Sequence, residues 1–152
     1  MKRIVIFASL AVILFAVGAA AAQTRIFDTY ENVRQALLKG SLADAQTSSR
    51  ALAAAARAEN QTRIAERANA LTATANLKAA RDSFAVLSDE VIKFRDAQAG
   101  DRPVVLYCSM HKASWLQPAG ATTNPYVEDK SMIACGEVRK DSAAPAASPH
   151  QH

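Results

Sequence analysis

Between Ile26 and Ala97 the chain has no proline, is rich in alanine, and spaces its larger apolar residues three and four apart. That period belongs to an α-helix, and alanine has the highest helix propensity of any residue. Phe27, Tyr30, Val33 and Leu37 mark a short first helix that stops at Gly40, where a left-handed C-terminal cap meets no Cβ penalty. Ser41 then serves as N-cap to a second helix through Leu42, Ala45, Ser49, Leu52 and Ala56, ending near Asn60. Its small side chains let a neighbouring helix come close. A third helix carries Ile64, Ala68 and Leu71 and ends between Thr72 and Asn76, although no residue there forbids a continuous run into the next. The fourth is the clearest, with Leu77, Ala80, Phe84, Leu87, Val91 and Phe94 forming one apolar seam. Short connections favour antiparallel neighbours, so the expected fold class is mostly α, an up-and-down bundle of three or four helices.

The pattern breaks at Gly100-Asp101-Arg102-Pro103, after which Val104 to Tyr107 is a short β-like run. A weaker one comprises Met132 to Ala134 and, after Gly136, Val138. The loop between them contains Pro118, Gly120, Asn124 and Pro125. These features predict a small C-terminal cap, β-hairpin-like or irregular, that packs Trp115 and Tyr126 on the bundle. Beyond Lys140 the chain is Asp141, then Ser, Ala and Pro, followed by Pro149-His150-Gln151-His152, a composition that cannot build a core. Residues 141–152 therefore read as a disordered tail, in which His150 and His152 could chelate a metal only nonspecifically.

The other end reads as an export signal. Lys2 and Arg3 form a positive n-region, Ile4 to Val17 an apolar h-region, and Gly18 to Ala22 a run of small residues. Ala20 and Ala22 satisfy the small-x-small rule, placing cleavage after Ala22 and a periplasmic or secreted domain over residues 23–140. An uncleaved anchor is the weaker alternative, because a spanning helix needs about 20 apolar residues, more than this h-region has. No stable membrane insertion is expected after cleavage. The formal charge of +4 includes Lys2 and Arg3, leaving +2 on roughly 130 residues, enough for one modest core. Basic residues alternate with acidic ones along the helices, which excludes a nucleic-acid footprint.

The residues able to do chemistry lie on the two sides of the cap loop. Cys108-Ser109-Met110-His111 and Met132-Ile133-Ala134-Cys135-Gly136 supply two thiols, two thioethers and an imidazole. Such soft donors select copper(I) or silver, while Cys and His alone would also suit zinc. Cys108 and Cys135 are the only cysteines, and in an oxidising compartment a single structural disulfide is the competing reading. Met110 and Met132 taken singly are ordinary core filler, and His111 an ordinary surface histidine. Arg81 reads as an internal ion pair or a cap on the hairpin loop.

The spacing Arg81-x-x-Phe84-x-x-x-Ser88, Cys108-x-Met110, Trp115-Leu116, Asn124-Pro125-Tyr126 and Met132-x-x-Cys135-Gly136 covers most of the chain after the signal. It resembles a family of small periplasmic domains of unknown function, free-standing or appended to the adaptor subunits of copper and silver efflux pumps. Ser109 stands where that family usually has proline, and Val127-Glu128 where an aromatic and a glycine are usual. The resemblance implies a periplasmic domain that meets a heavy-metal efflux adaptor or pump; His111 is not carried over from it.

The leading expectation is a soft-metal binding protein with Cys108, Met110, His111, Met132 and Cys135 as ligands, buffering copper(I) or handing it to an efflux system. The alternative is a disulfide-stabilised adaptor module of an envelope complex with no metal. Catalysis is not expected, because the chain has no C-x-x-C or C-x-x-C-H motif, no nucleophile and base paired at a recognisable motif spacing, and no phosphate-cradling glycine loop.

Overall fold

The computed structural model describes residues 25–139. The export-signal reading of residues 1–22 and the tail reading of residues 141–152 lie outside the described residues. Four α-helices lead into a small three-stranded sheet: α1 over residues 25–39, α2 over Leu42–Ala58, α3 over Thr62–Thr72 and α4 over Leu77–Asp96. Among the described residues no helix is long and apolar enough to cross a membrane.

Each helix end has a local cause. Gly40 adopts φ +73° at the end of α1, and the Ser41 side chain accepts from the Asp44 N–H to cap α2. Asn60 takes the left-handed conformation after α2, φ 57°. The break between α3 and α4 is real: the Asn76 side chain accepts from the Ala79 N–H at 2.9 Å and starts a new helix. Connections of two to four residues join consecutive helices, as antiparallel neighbours require.

The alanine-rich face of α2 buries Ala45, Ala53, Ala55 and Ala56, and it packs on Ile64, Ala68 and Leu71 of α3. Helix α1 meets α4 through aromatic contacts, Phe27 with Phe94 and Tyr30 stacked on Phe84 at 5.0 Å between ring centroids. Leu87 and Val91 complete that layer. Tyr30 and Ser88 share a buried hydrogen bond of 2.6 Å, and burial holds the Tyr30 phenol far above its ordinary range, keeping it neutral.

The cap is the small β element expected, a hairpin widened by a third strand into an antiparallel sheet. Strand β1, Val104–Cys108, pairs antiparallel with β2, Ala113–Gln117, in a register that sets Cys108 opposite Ala113. Strand β3, Glu137–Val138, joins the other edge of β1, giving the order β2-β1-β3. The run Met132 to Ala134 is not a strand. The Asp129 side chain accepts from the Ser131 N–H and winds Lys130–Met132 into a 3₁₀ turn, and only Val138 of the second β-like run pairs in the sheet.

Trp115 and Tyr126 are buried against the bundle, as expected. Three buried arginines fasten cap and connecting loops to the helices. Arg34 donates to the Thr123 carbonyl and hydroxyl, Arg81 to the Pro125 carbonyl and Glu128, and Arg95 to the Pro103 carbonyl. Arg81 thus has the internal ion-pair role read from the sequence.

Candidate functional site

The site forms where the end of β1 meets the segment that follows the 3₁₀ turn. Cys108 is the last residue of β1 and is fully buried, facing the core beside Trp115 and Tyr126. A four-residue turn, with Lys112 in the left-handed conformation at φ 50°, brings His111 back over the strand end. Its Nδ1 lies 3.4 Å from Cys108 Sγ.

Cys135 arrives from the other side. Its N–H donates to the Met132 carbonyl, and its own carbonyl accepts from Asn124 Nδ2 at 2.8 Å. Asn124 is itself wholly buried and saturated: its N–H donates to the Ile133 carbonyl and its Oδ1 accepts from the Tyr126 N–H. Asn124 therefore sets the position of the 133–135 segment. Gly136, at φ +145°, lets the chain pass flat over the Trp115 ring. The outcome is a Cys108–Cys135 Sγ···Sγ separation of 3.5 Å with both thiols free. Cys135 remains partly exposed.

Electrostatics divide the two thiols. Burial pushes the Cys108 thiol up, but it is outweighed by hydrogen bonds from the His111 side chain, the His111 backbone, Cys135 and the Met110 backbone. The group settles at about 7, against an ordinary 9.0. The Cys135 thiol moves the other way, raised first by its hydrogen bond to Cys108. Of the two, Cys108 is the thiol that ionises first as pH rises.

The remaining sequence-predicted donors occupy a different place. Met110, His111 and Met132 line an adjacent cavity of about 520 Å³ together with Tyr126, Arg81 and Glu128. Met110 is 65 % exposed, so it is not the core filler that an isolated methionine usually is. His111 belongs to both places, with one ring nitrogen against Cys108 and its ring on the cavity wall. Among the described residues, no three His, Cys, Asp or Glu side chains are grouped to hold a metal ion; the contacts run pairwise through Cys108. His150 and His152 lie outside the described residues.

Residues read from the sequence as core and motif positions also bond to one another beneath the cap. Ser88 Oγ bonds the Tyr30 hydroxyl and lies 3.3 Å from the Tyr126 hydroxyl, which donates its proton to the Ser114 carbonyl at 2.6 Å. Tyr126 packs edge-on against Trp115, ring centroids 5.9 Å apart, and against Phe84. One connected set of side chains from α1, α4, β2 and the loop thus joins the cap to the bundle. An Asn-Pro pair by itself marks only a turn, so the part of Asn124 in placing Cys135 shows only in the fold.

In comparisons with known proteins, no family model, no curated protein and no solved structure matches the chain at a significant level.

Proposed function

We propose that this protein binds a soft metal ion, copper(I) before silver, and acts as an exported buffer or handover protein for a heavy-metal efflux adaptor, with no catalytic step of its own. The observation that carries the reading is the 3.5 Å approach of Cys108 and Cys135, with His111 on Cys108 and both sulfurs free. Thiolates are the donors copper(I) prefers, and a Cys108 thiol near 7 loses its proton to a metal at little cost. Met110 and Met132 on the neighbouring cavity wall add thioethers, which favour copper(I) or silver over zinc. The two thiolates would hold the ion, His111 would be an optional donor, and the methionines would serve at the cavity side, where a partner's soft ligands could replace them stepwise. The periplasmic setting rests on the Lys2 to Ala22 signal pattern, and the efflux partner on the Cys-x-Met, Asn-Pro-Tyr and Met-x-x-Cys-Gly resemblance.

The test is an anaerobic copper(I) titration of the reduced protein against a competing chelator. Stoichiometric binding that disappears in Cys108→Ser and Cys135→Ser supports the reading. Lack of binding by the fully reduced wild-type protein rejects it.

The same 3.5 Å separation favours a second reading, a metal-free adaptor module whose two cysteines close as a structural disulfide. A cross-link that resists mild reductant in the folded protein would select it.

A further inference from the structure

The two sulfurs differ in a way that neither the metal nor a permanent staple requires: one is sealed inside the cap and the other meets solvent. Thiol–disulfide exchange proceeds by attack of one sulfur on another while a third departs, with the three close to a line, so accessibility decides which sulfur can be the middle one. An external disulfide cannot reach Cys108, at 0 % exposure, but it can reach Cys135. Once Cys135 carries the external group, the buried Cys108 sulfur stands 3.5 Å from it, and the leaving sulfur departs through the partly exposed side by which it came.

We infer that Cys135 and Cys108 form a directional thiol–disulfide exchange pair whose substrate is an organic disulfide, with Cys135 the receiving sulfur and Cys108 the resolving one. In the first step the Cys135 sulfur bonds to one sulfur of R–S–S–R, the S–S bond of the reagent breaks, and RS⁻ leaves. In the second, Cys108 Sγ bonds to Cys135 Sγ, the Cys135–SR bond breaks, and a second RS⁻ leaves. The two protons lost by the cysteines reach the two leaving groups through water, so the protein dithiol is oxidised by two electrons and R–S–S–R is reduced to two RSH. Reversal begins with a thiolate attacking Cys135 from solvent and expels Cys108, whose sulfur is received by the His111 Nδ1 contact at 3.4 Å. Neither step moves the backbone far, because a disulfide S–S bond of about 2.05 Å needs the sulfurs to close by roughly 1.5 Å, within reach of side-chain rotation. The same sulfurs would hold the metal proposed above, yet the exchange does not depend on any metal.

Glutathione disulfide, with a chelator present to keep metal away, is the probe, and the mass of acid-quenched, alkylated protein is the readout. Wild-type protein is expected to end as an intramolecular disulfide retaining no glutathione, and to be restored by dithiothreitol under native conditions. Cys108→Ser is expected to hold one glutathione on Cys135, whereas folded Cys135→Ser should react about ten-fold more slowly or less, the difference vanishing in denaturant. If either variant loses its fold, early quenching of the wild type replaces it, and peptide mapping is expected to find the transient mixed disulfide on Cys135. A mixed disulfide on Cys108, equal native rates for the two variants, or a stable glutathione adduct on the wild type would overturn the assignment. Absence of copper binding would reject the metal reading and leave each of these outcomes unchanged.

Discussion

Gly136 lies so close to the ring of Trp115 that a Cβ added to it would collide with Cη2 and stand 3.2 and 3.3 Å from Cζ2 and Cζ3. Trp115 is fully buried and cannot give way, and the φ of +145° adds backbone strain for any L side chain. Gly136→Ala is therefore expected to cost about 1–3 kcal/mol from overpacking alone. A urea unfolding midpoint would read it. Since Cys135 is the neighbouring residue, the variant is also expected to lose copper(I) affinity although both cysteines remain.

Asn124 provides a cleaner separation of positioning from ligation. It touches neither sulfur; it holds the Cys135 carbonyl and the 133 carbonyl in place through its side chain and backbone. Asn124→Ala removes both side-chain bonds, the one to the Cys135 carbonyl and the one from the Tyr126 N–H, and leaves the backbone bond to the Ile133 carbonyl. On the proposed copper reading, affinity is expected to fall about 10–100-fold, as when an outer-shell partner is lost. Competition titration checks this, with the thiol count confirming two free cysteines. Unchanged affinity would mean that Asn124 serves the fold and not the site.

The helical part of this architecture was open to reading because alanine content, the three-four spacing and the caps at Gly40 and Ser41 all act locally. The α3 to α4 break was harder, because it depends on Asn76 turning its side chain onto Ala79. Strand β2 gave no signal of its own: Ala113-Ser114-Trp115-Leu116-Gln117 contains no β-branched residue and is covered on nearly every side chain, so its strand state comes from pairing with Val104–Cys108. Met132 to Ala134 misled for the opposite reason, an apolar run overruled by the Asp129 cap. In the site, Cys108 and His111 sit three apart on one turn and were legible together. The approach of Cys135 depends on Asn124 and on the Gly136–Trp115 packing, contacts that no local pattern encodes.

The split between the two thiols gives stability a pH dependence with a definite sign. Cys108 in the folded protein loses its proton near 7 and an ordinary unfolded thiol near 9.0. The folded state thus binds fewer protons across that window, and stability is expected to rise from pH 7 towards pH 9 and to be lost as pH falls through 7. Cys135, raised above 9.0, works in the reverse sense above that pH by holding its proton longer in the folded state. Denaturant midpoints of reduced protein across this range, repeated with Cys108→Ser, check the assignment. The rise between 7 and 9 should vanish in the variant. In His111→Ala the thiolate step, followed by ultraviolet absorbance, should move upward.

Met110 and Met132 decide whether the cavity takes part in metal chemistry. Met110 is mostly exposed and both thioethers face the 520 Å³ cavity, so replacing either by leucine preserves volume and apolar character and removes only the sulfur. Met110→Leu is expected to change stability by no more than about 0.5 kcal/mol, as at other surface positions. If the thioethers receive copper(I) on its way to or from Cys108 and Cys135, the Met110→Leu, Met132→Leu double variant keeps its stoichiometry and its equilibrium affinity nearly intact. Its transfer rate to a competing soft-ligand chelator is what falls, because the intermediate ligands of stepwise exchange are gone. A large loss of affinity with no change in transfer would instead place the thioethers in the resting coordination sphere. Stopped-flow transfer and equilibrium competition, run on the same samples, separate a cavity that conducts the ion from one that only borders it.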